Sequence, residues 1–336
     1  MKSQTPDRQQ ILDMAAGFQE ACVIGAAAEL DLFSILGGGS LSAGELADRL
    51  GADARATAML LDAVAALRLL EKRQGQYRVP ADLLPLLTEA SPQSILPMLW
   101  HRINILRGWS QLARVVKTGA PGPRPASIRG AEADRQAFIG AMHTVSGPGA
   151  DELVARLGPP RFAHLLDVGG ASGTWTLAFL RAVAGARATI FDLPDAIDQA
   201  RDRIAGGEQA DRIALVVGDF YADALPDGAD FAWVSAIVHQ HSRQHNRELF
   251  AKVHAALQPG GRIAIRDAVM APSRTAPVFG AMFAINMLTN TDSGGTFTFD
   301  ELAEDLRAAG FVEPVLPIED EAMNSVVMAT KPAESH

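Results

Sequence analysis

The run Leu165-Leu166-Asp167-Val168-Gly169-Gly170-Ala171-Ser172-Gly173 places glycines where a strand would give way to a helix starting near Thr174. Bare backbone at such a turn lets a ligand approach the chain and meet the positive end of the helix. The dinucleotide pattern G-x-G-x-x-G fails here. From Gly169 its other glycines fall on Ala171 and Thr174, and from Gly170 the second falls on Ser172, so a nicotinamide cofactor loses ground. About 20 residues on, Asp192 ends the strand of Ile190-Phe191-Asp192-Leu193-Pro194, where a carboxylate can accept both ribose hydroxyls of a nucleoside. Gly218-Asp219-Phe220 ends a third strand, with an acid for an adenine amine and an aromatic ring to stack on it. Each acid alone also fits a solvated strand end or a helix cap. Three such ends on consecutive strands of one sheet are much harder to obtain by accident.

The elements that would carry these residues are short β-rich runs alternating with helical stretches: His164–Val168, Ala188–Phe191, Ile213–Val217, Phe231–Val238 and Arg262–Ala268. That alternation predicts an α/β domain, a parallel sheet with helices on both faces. Upstream, apolar residues recur at helical spacing from Arg8 to Leu36, and Gly37-Gly38-Gly39 ends the run. Ser40 or Ser42 is then an N-cap candidate for a helix carrying Glu45 and Leu46. A helix from about Arg55 to Leu69 and a hairpin over Leu70–Val79, turning at Gly75, complete a winged-helix pattern. Such units often read DNA, but Arg55, Asp62 and Arg68 stand among mostly Ala and Leu, which suits a protein-packing module better. Ser91 to about Leu157 reads as helical, broken at Pro121-Gly122-Pro123-Arg124-Pro125. Trp100, His101, Arg102, Asn104, Trp109, Phe138, Met142 and His143 fit ordinary packing one by one; as a group they could line a small-molecule pocket. The expected domains are 1–95 and 96–336.

With 336 residues, 48% of them hydrophobic, the chain can bury a large core, and about 150 residues per domain suggests two domains. A formal charge of -9 repels nucleic acid and anionic lipid. The lone Cys22 excludes an internal disulfide and cysteine-rich zinc sites. The first ten residues are polar, and the longest membrane candidate, Ala21–Ala28, is far short of the ~20 residues a span needs. A soluble cytoplasmic protein is expected.

Asp-Val-Gly-Gly-x-x-Gly, Phe-Asp-Leu-Pro, Gly-Asp-Phe and Gln258-Pro259-Gly260-Gly261-Arg262-Ile263 follow in the order of class I S-adenosylmethionine-dependent methyltransferases. With Phe283-Ala284-Ile285-Asn286-Met287-Leu288, Ala308-Ala309-Gly310-Phe311 and the winged-helix pattern, nearly the whole chain resembles small-molecule O-methyltransferases. The likeness is to the caffeic-acid and hydroxyindole type, in its bacterial natural-product branch. The resemblance implies a Rossmann-like methyltransferase domain behind an N-terminal winged-helix dimerisation domain. It implies a homodimer with exchanged N-terminal helices, S-adenosylmethionine as donor and S-adenosylhomocysteine as product, and an aromatic or polyketide-like hydroxyl as acceptor. Asp167, Gly169, Gly170, Gly173, Asp192, Leu193, Asp219, Phe220 and Ser235 would bind the cofactor, Ser235 standing where the family has an adenine-contacting lysine. Candidate acceptor contacts are Trp100, Trp109, Met142, His143, Asn286 and Met287, the last matching a family substrate-contacting methionine.

A phenol of pKa about 10 must lose its proton to accept a methyl group, and a histidine is the natural base. In the resembled family the base opens a His-Asp-Trp motif; here it matches His239, with Gln240 and His241 in place of the acid and the indole. The supporting acid matches Asp267, and the family's second acid falls at Thr296, which carries no carboxylate. His239, His241 and His245 form too loose a pattern for a metal site, and none is expected. C- or N-methylation, a relative that binds the sulfonium without transferring its methyl, and a regulator sensing S-adenosylmethionine are the alternatives.

Overall fold

The computed structural model describes residues 5–146, 149–158 and 161–333, with the backbone alone at 139 and 142–146. The chain divides into two compact units, residues 1–107 with 124–145, and residues 108–123 with 146–336.

The first unit opens with α1 (Arg8–Ala16), α2 (Phe18–Glu29) and α3 (Leu32–Leu36). The helical spacing over Arg8–Leu36 is thus divided among three helices, the second break falling at Asp31, whose positive φ of 54° cannot continue a right-handed helix. β1 (Leu41–Ser42), α4 (Ala43–Leu50), α5 (Ala54–Ala66), β2 (Glu71–Arg73) and β3 (Gln76–Arg78) follow. Ser42 is the N-cap of α4: its hydroxyl accepts from Glu45 N–H while the Glu45 carboxylate accepts from Ser42 N–H, a capping box. The hairpin turns at Gln74-Gly75, both at positive φ, as a two-residue turn requires, and β1 adds to β3 to make a three-stranded wing. Asp62 ties that wing to α5 by accepting from Lys72 Nζ and the Tyr77 hydroxyl. α6 (Leu84–Leu87), α7 (Leu96–Trp109) and α9 (Ala131–Ser146) complete the unit, α8 (Leu112–Thr118) belonging to the second. The core gathers Phe33, Leu36, Leu46, Leu61, Val64 and Leu96, each fully buried side chain contributing roughly 1.5–3 kcal/mol.

One feature of the N-terminus departs from the sequence reading. The 22 residues Arg8–Glu29 are long and apolar enough to cross a membrane by length and composition, and few of them are buried. The stretch Ala21–Ala28 stops at Glu20 and Glu29, whereas the longer run crosses Glu20 and takes in Phe18, Met14, Leu12 and Ile11 upstream.

The second unit is built on β4 (His164–Val168), β5 (Arg187–Asp192), β6 (Ile213–Val217), β7 (Ala229–Ser235), β8 (Leu257–Asp267), β11 (Val312–Ile318) and β12 (Ser325–Thr330). They form one sheet in the order β11-β12-β8-β7-β4-β5-β6. The five expected strands are parallel, and β12 and β11 extend the sheet antiparallel beyond β8. The sheet is therefore mixed, a correction to the purely parallel expectation. A short pair, β9 (Val269–Met270) and β10 (Phe297–Thr298), stands apart from it. α10 (Ala150–Leu157) and α11 (Thr174–Ala182) cover one face, with Phe162, Trp175, Phe179, Phe231 and Trp233 in the core between. α13 (Arg243–Ala256) and α15 (Phe299–Ala308) cover the other over Val234, Phe250, Ile265 and Leu306. α12 (Pro194–Ile204) packs on β5 and β6, and α14 (Val278–Asn290) on β9 and α8. The register brings the carboxyl ends level: Gly169 N–H donates to Phe191 O, Gly218 N–H to Asp192 O, and Ala236 N–H to Arg266 O.

Candidate active site

The glycine turn leaves β4 at Gly169 with φ +66°. A Cβ there would overlap Ile237 Cδ1 and come within 4.0 Å of Phe220, and at Gly170 it would lie 2.8 Å from Asp167 Cγ. Bare backbone is thus required by close packing, and the turn brings together segments from β4, β6 and β7. Ala171 sits at φ +45° without being glycine, a conformation that persists only where its surroundings hold it. Asp192 is that hold: its carboxylate accepts from Ala171 N–H at 2.8 Å and from Leu193 N–H at 2.7 Å. Burial pushes the Asp192 carboxyl up, and those two N–H groups oppose the shift. Gly173 caps the turn, its N–H donating to Gly170 O.

Asp167 lies beneath the turn, buried, with Oδ2 accepting from the Thr176 hydroxyl at 2.6 Å and Oδ1 without a partner. Burial pushes this carboxyl up to about 7. Asp219 accepts from Tyr221 N–H, and Lys252 Nζ pins the same loop by donating to the carbonyls of Phe220, Tyr221 and Asp223. The Phe220 ring meets those of Tyr221 and His241. Ser235 Oγ accepts from Arg266 Nη1 at 3.1 Å.

After β7 the chain turns at Ala236, φ +57°, into a 3-10 turn over Val238–Gln240 that carries His239; the expected strand over Phe231–Val238 is cut short there. His239 and Asp267 are both buried, and His239 Nδ1 lies 2.9 Å from each Asp267 oxygen. A carboxylate oxygen accepts, so a hydrogen bond at this distance is donated by Nδ1–H. Asp267 is held in turn by Ala268 N–H at 2.7 Å, and the Phe283 ring stands edge-on to the imidazole at 4.8 Å. Phe283 stacks on Phe279 with planes 10° apart, giving α14 an apolar aromatic face beside His239.

The neighbouring motif residues have other work. Gln240 Nε2 donates to Ala236 O. His241 is buried against Tyr221, whose hydroxyl it meets, and burial followed by the charges of His239 and His245 lowers its pKa to about 4. His245 lies in the first turn of α13, its N–H donating to the Ser242 cap. Thr296 is buried, and its hydroxyl donates to Gly280 O at 3.3 Å. On α14 the Asn286 side chain accepts from Trp109 Nε1 at 2.9 Å and from Asn290 at 3.0 Å, and Met287 is buried. Trp100 lies in the core of the first unit, donating to Ala28 O with Arg129 stacked on its ring. The side chains of Met142 and His143 lie outside the described residues. Sequence reasoning missed Tyr221, Arg266 and Phe283 as members of this cluster; the aromatic following Asp219-Phe220 was the one local signal available.

A family model for the O-methyltransferase domain matches residues 124–312, and one for the O-methyltransferase dimerisation domain matches residues 12–81. The chain is 32% identical to a 3-hydroxy-5-methyl-1-naphthoate 3-O-methyltransferase of Streptomyces sahachiroi, over 90% of this chain and 89% of that one. It is 31% identical to the tetracenomycin polyketide synthesis 8-O-methyl transferase of Streptomyces glaucescens, over 90% and 91%. The crystal structure of human N-acetylserotonin methyltransferase in complex with S-adenosylmethionine superimposes with a TM-score of 0.81 at 26% identity, covering 99% of this chain and all of that one. With its domain, its dimerisation segment and its relatives in agreement, this chain belongs to the O-methyltransferase family and is an S-adenosylmethionine-dependent methyltransferase.

Proposed function

We propose that the protein methylates a hydroxyl on an aromatic, polyketide-like small molecule, with His239 as the base. The observation that carries this is the buried His239–Asp267 pair, 2.9 Å apart, beside the stacked Phe279 and Phe283 rings. Asp267 holds the imidazole in the tautomer that presents Nε2 as a proton acceptor, and its charge stabilises the imidazolium formed when the acceptor loses its proton. The aromatic face of α14 suits a planar acceptor, in keeping with the naphthoate and polyketide substrates named for two relatives.

Asp167, Gly169, Gly170, Gly173, Asp192, Leu193, Asp219, Phe220 and Ser235 would hold the donor, the glycines by admitting it to the backbone and the acids by accepting its donors. When bound, S-adenosylmethionine supplies a methyl group activated by a sulfonium. The residues around it align donor and acceptor and exclude water, which is most of what an in-line displacement requires. Thr296 has its hydroxyl committed to Gly280 O, so the base is oriented by Asp267 without help from that position. The apolar side chains Ile11, Leu12 and Met14 of α1 and Phe18 at the start of α2 are exposed in the single chain and lie in or beside the dimerisation match, which supports a homodimer closing over them.

The test is a panel of hydroxylated naphthoates and polyketide aromatics incubated with the protein and S-adenosylmethionine. Products heavier by one methylene, about 14 Da, with stoichiometric S-adenosylhomocysteine support transfer to the acceptor. Fragmentation then separates O- from C- or N-methylation.

A further inference from the structure

Arg266, one residue before Asp267 on β8, is 3% exposed, yet its partners are all neutral. Nε donates to Asn324 Oδ1 at 2.9 Å, Nη1 donates to Ser235 Oγ at 3.1 Å, and the guanidinium lies 4.6 Å over the Trp175 ring. Among the described residues no carboxylate lies within ion-pair distance of it; Asp267 and Asp320 act on it from farther away. Burial lowers its pKa to about 10, which leaves it charged at neutral pH. A buried cation without an opposite charge is costly, and an apolar side chain of similar size would be accommodated there more cheaply. The position makes sense if an anion arrives.

Two features indicate which anion. Trp175 belongs to the first turn of α11, the helix that follows the glycine turn, so the helix's positive end and the guanidinium lie on the same side of the sheet. Ser235, to which Arg266 donates, ends β7 immediately before the turn into His239. S-adenosylmethionine carries a sulfonium, an ammonium and one carboxylate, and only the last is attracted by a guanidinium. We propose that Arg266 is the receptor for the α-carboxylate of the methyl donor, held ready by Ser235, Asn324 and Trp175. The proposal rests on the S-adenosylmethionine assignment and adds which residue discriminates the amino-acid end of the ligand. A carboxylate on the acceptor is the other source of such an anion, and binding measured without acceptor separates the two.

Calorimetric titration of the full-length protein with S-adenosylhomocysteine and with its decarboxylated analogue, which keeps the ammonium and the nucleoside, tests this. Wild type should prefer S-adenosylhomocysteine by about tenfold or more, the worth of a charge-assisted hydrogen bond. Arg266→Met should lose that preference, weakening S-adenosylhomocysteine about tenfold while leaving the amine within about twofold. Arg266→Lys, which keeps the charge without the fork, should fall between. Equal loss for both ligands in whichever variant folds, or no preference in wild type, overturns the proposal. Wild type that binds neither ligand overturns the donor assignment as well.

Discussion

His239 Nδ1 stands 2.9 Å from both oxygens of Asp267, so one buried carboxylate is spanned by the imidazole while Ala268 N–H fixes its orientation. Asp267→Asn keeps the shape but can offer an amide N–H to Nδ1, favouring the wrong tautomer and removing the charge that supports the imidazolium. Turnover should fall by about 10²- to 10⁴-fold, and His239→Ala should abolish it, with S-adenosylhomocysteine affinity little changed in both. Steady-state rates paired with calorimetry check this. A His239→Ala enzyme of wild-type rate removes the histidine from the chemistry.

Asp167 makes the ligand-free fold sensitive to pH. Its folded pKa, about 7, lies above the ordinary carboxylate value of 3.8, so the protonated acid is the form the fold prefers. Its contribution to stability is complete below pH 3.8, declines as pH rises, and is lost above about 7. Asp167→Asn can still accept from the Thr176 hydroxyl and has no charge to bury. The variant should therefore melt at nearly the wild-type temperature near pH 4 and several degrees above it at pH 8, the gap opening between. His241 works in the opposite sense. Its folded pKa of about 4 lies below the ordinary 6.5, so its contribution is present above pH 6.5 and lost as pH falls toward 4. Thermal melts of Asp167→Asn and His241→Gln across pH 4–8 resolve the two opposed slopes.

Gly169 has a different vulnerability. At φ +66°, alanine costs about 1–2 kcal/mol in backbone strain, and its Cβ would also displace Ile237. Gly169→Ala should lower the melting temperature and weaken S-adenosylhomocysteine binding together. Gly44→Ala, in α4 with open space around the new Cβ, should leave binding untouched and stabilise by up to about 1 kcal/mol. Loss of binding in both variants would mean that the effect is global and not local to the turn.

The parts of the fold that were legible in the sequence are those written in local periodicity. Five parallel strands, the wing and the Ser42 cap carry their own signals. β11 and β12 escaped because Val312–Ile318 is interrupted by Pro314 and Pro317, tolerable on a sheet edge but opposed to a strand pattern. β12 is a short run, four apolar residues between Ser325 and Thr330, whose meaning comes from pairing with β8, a contact across more than 50 residues. The same limit applies to the site. Gly169, Asp192 and Asp219 announce themselves at strand ends, whereas Arg266 reads as an ordinary strand residue until Ser235, Asn324 and Trp175 surround it. Residue type also left Trp100 and Trp109 alike, although one donates to Ala28 O in a core and the other to Asn286 on α14.

An exposed apolar stripe runs from α1 into the first residue of α2. Ile11, Met14 and Phe18 recur at helical spacing, with Leu12 alongside, and all four are at least half exposed in the single chain. Solvent contact on this scale is unfavourable for side chains of this size, each worth roughly 1.5–3 kcal/mol when buried, so a second copy covering the stripe gains several kcal/mol. Glutamate at Met14 and Phe18 together places two like charges on that face, which a buried interface cannot solvate. Light scattering after size exclusion should show the wild type as a dimer and Met14→Glu/Phe18→Glu as a monomer at micromolar concentration. Gln9→Glu, on the same helix but on a polar position, should remain dimeric. A wild-type monomer, or a dimer unaffected by both glutamates, would assign the apolar stripe to some other contact.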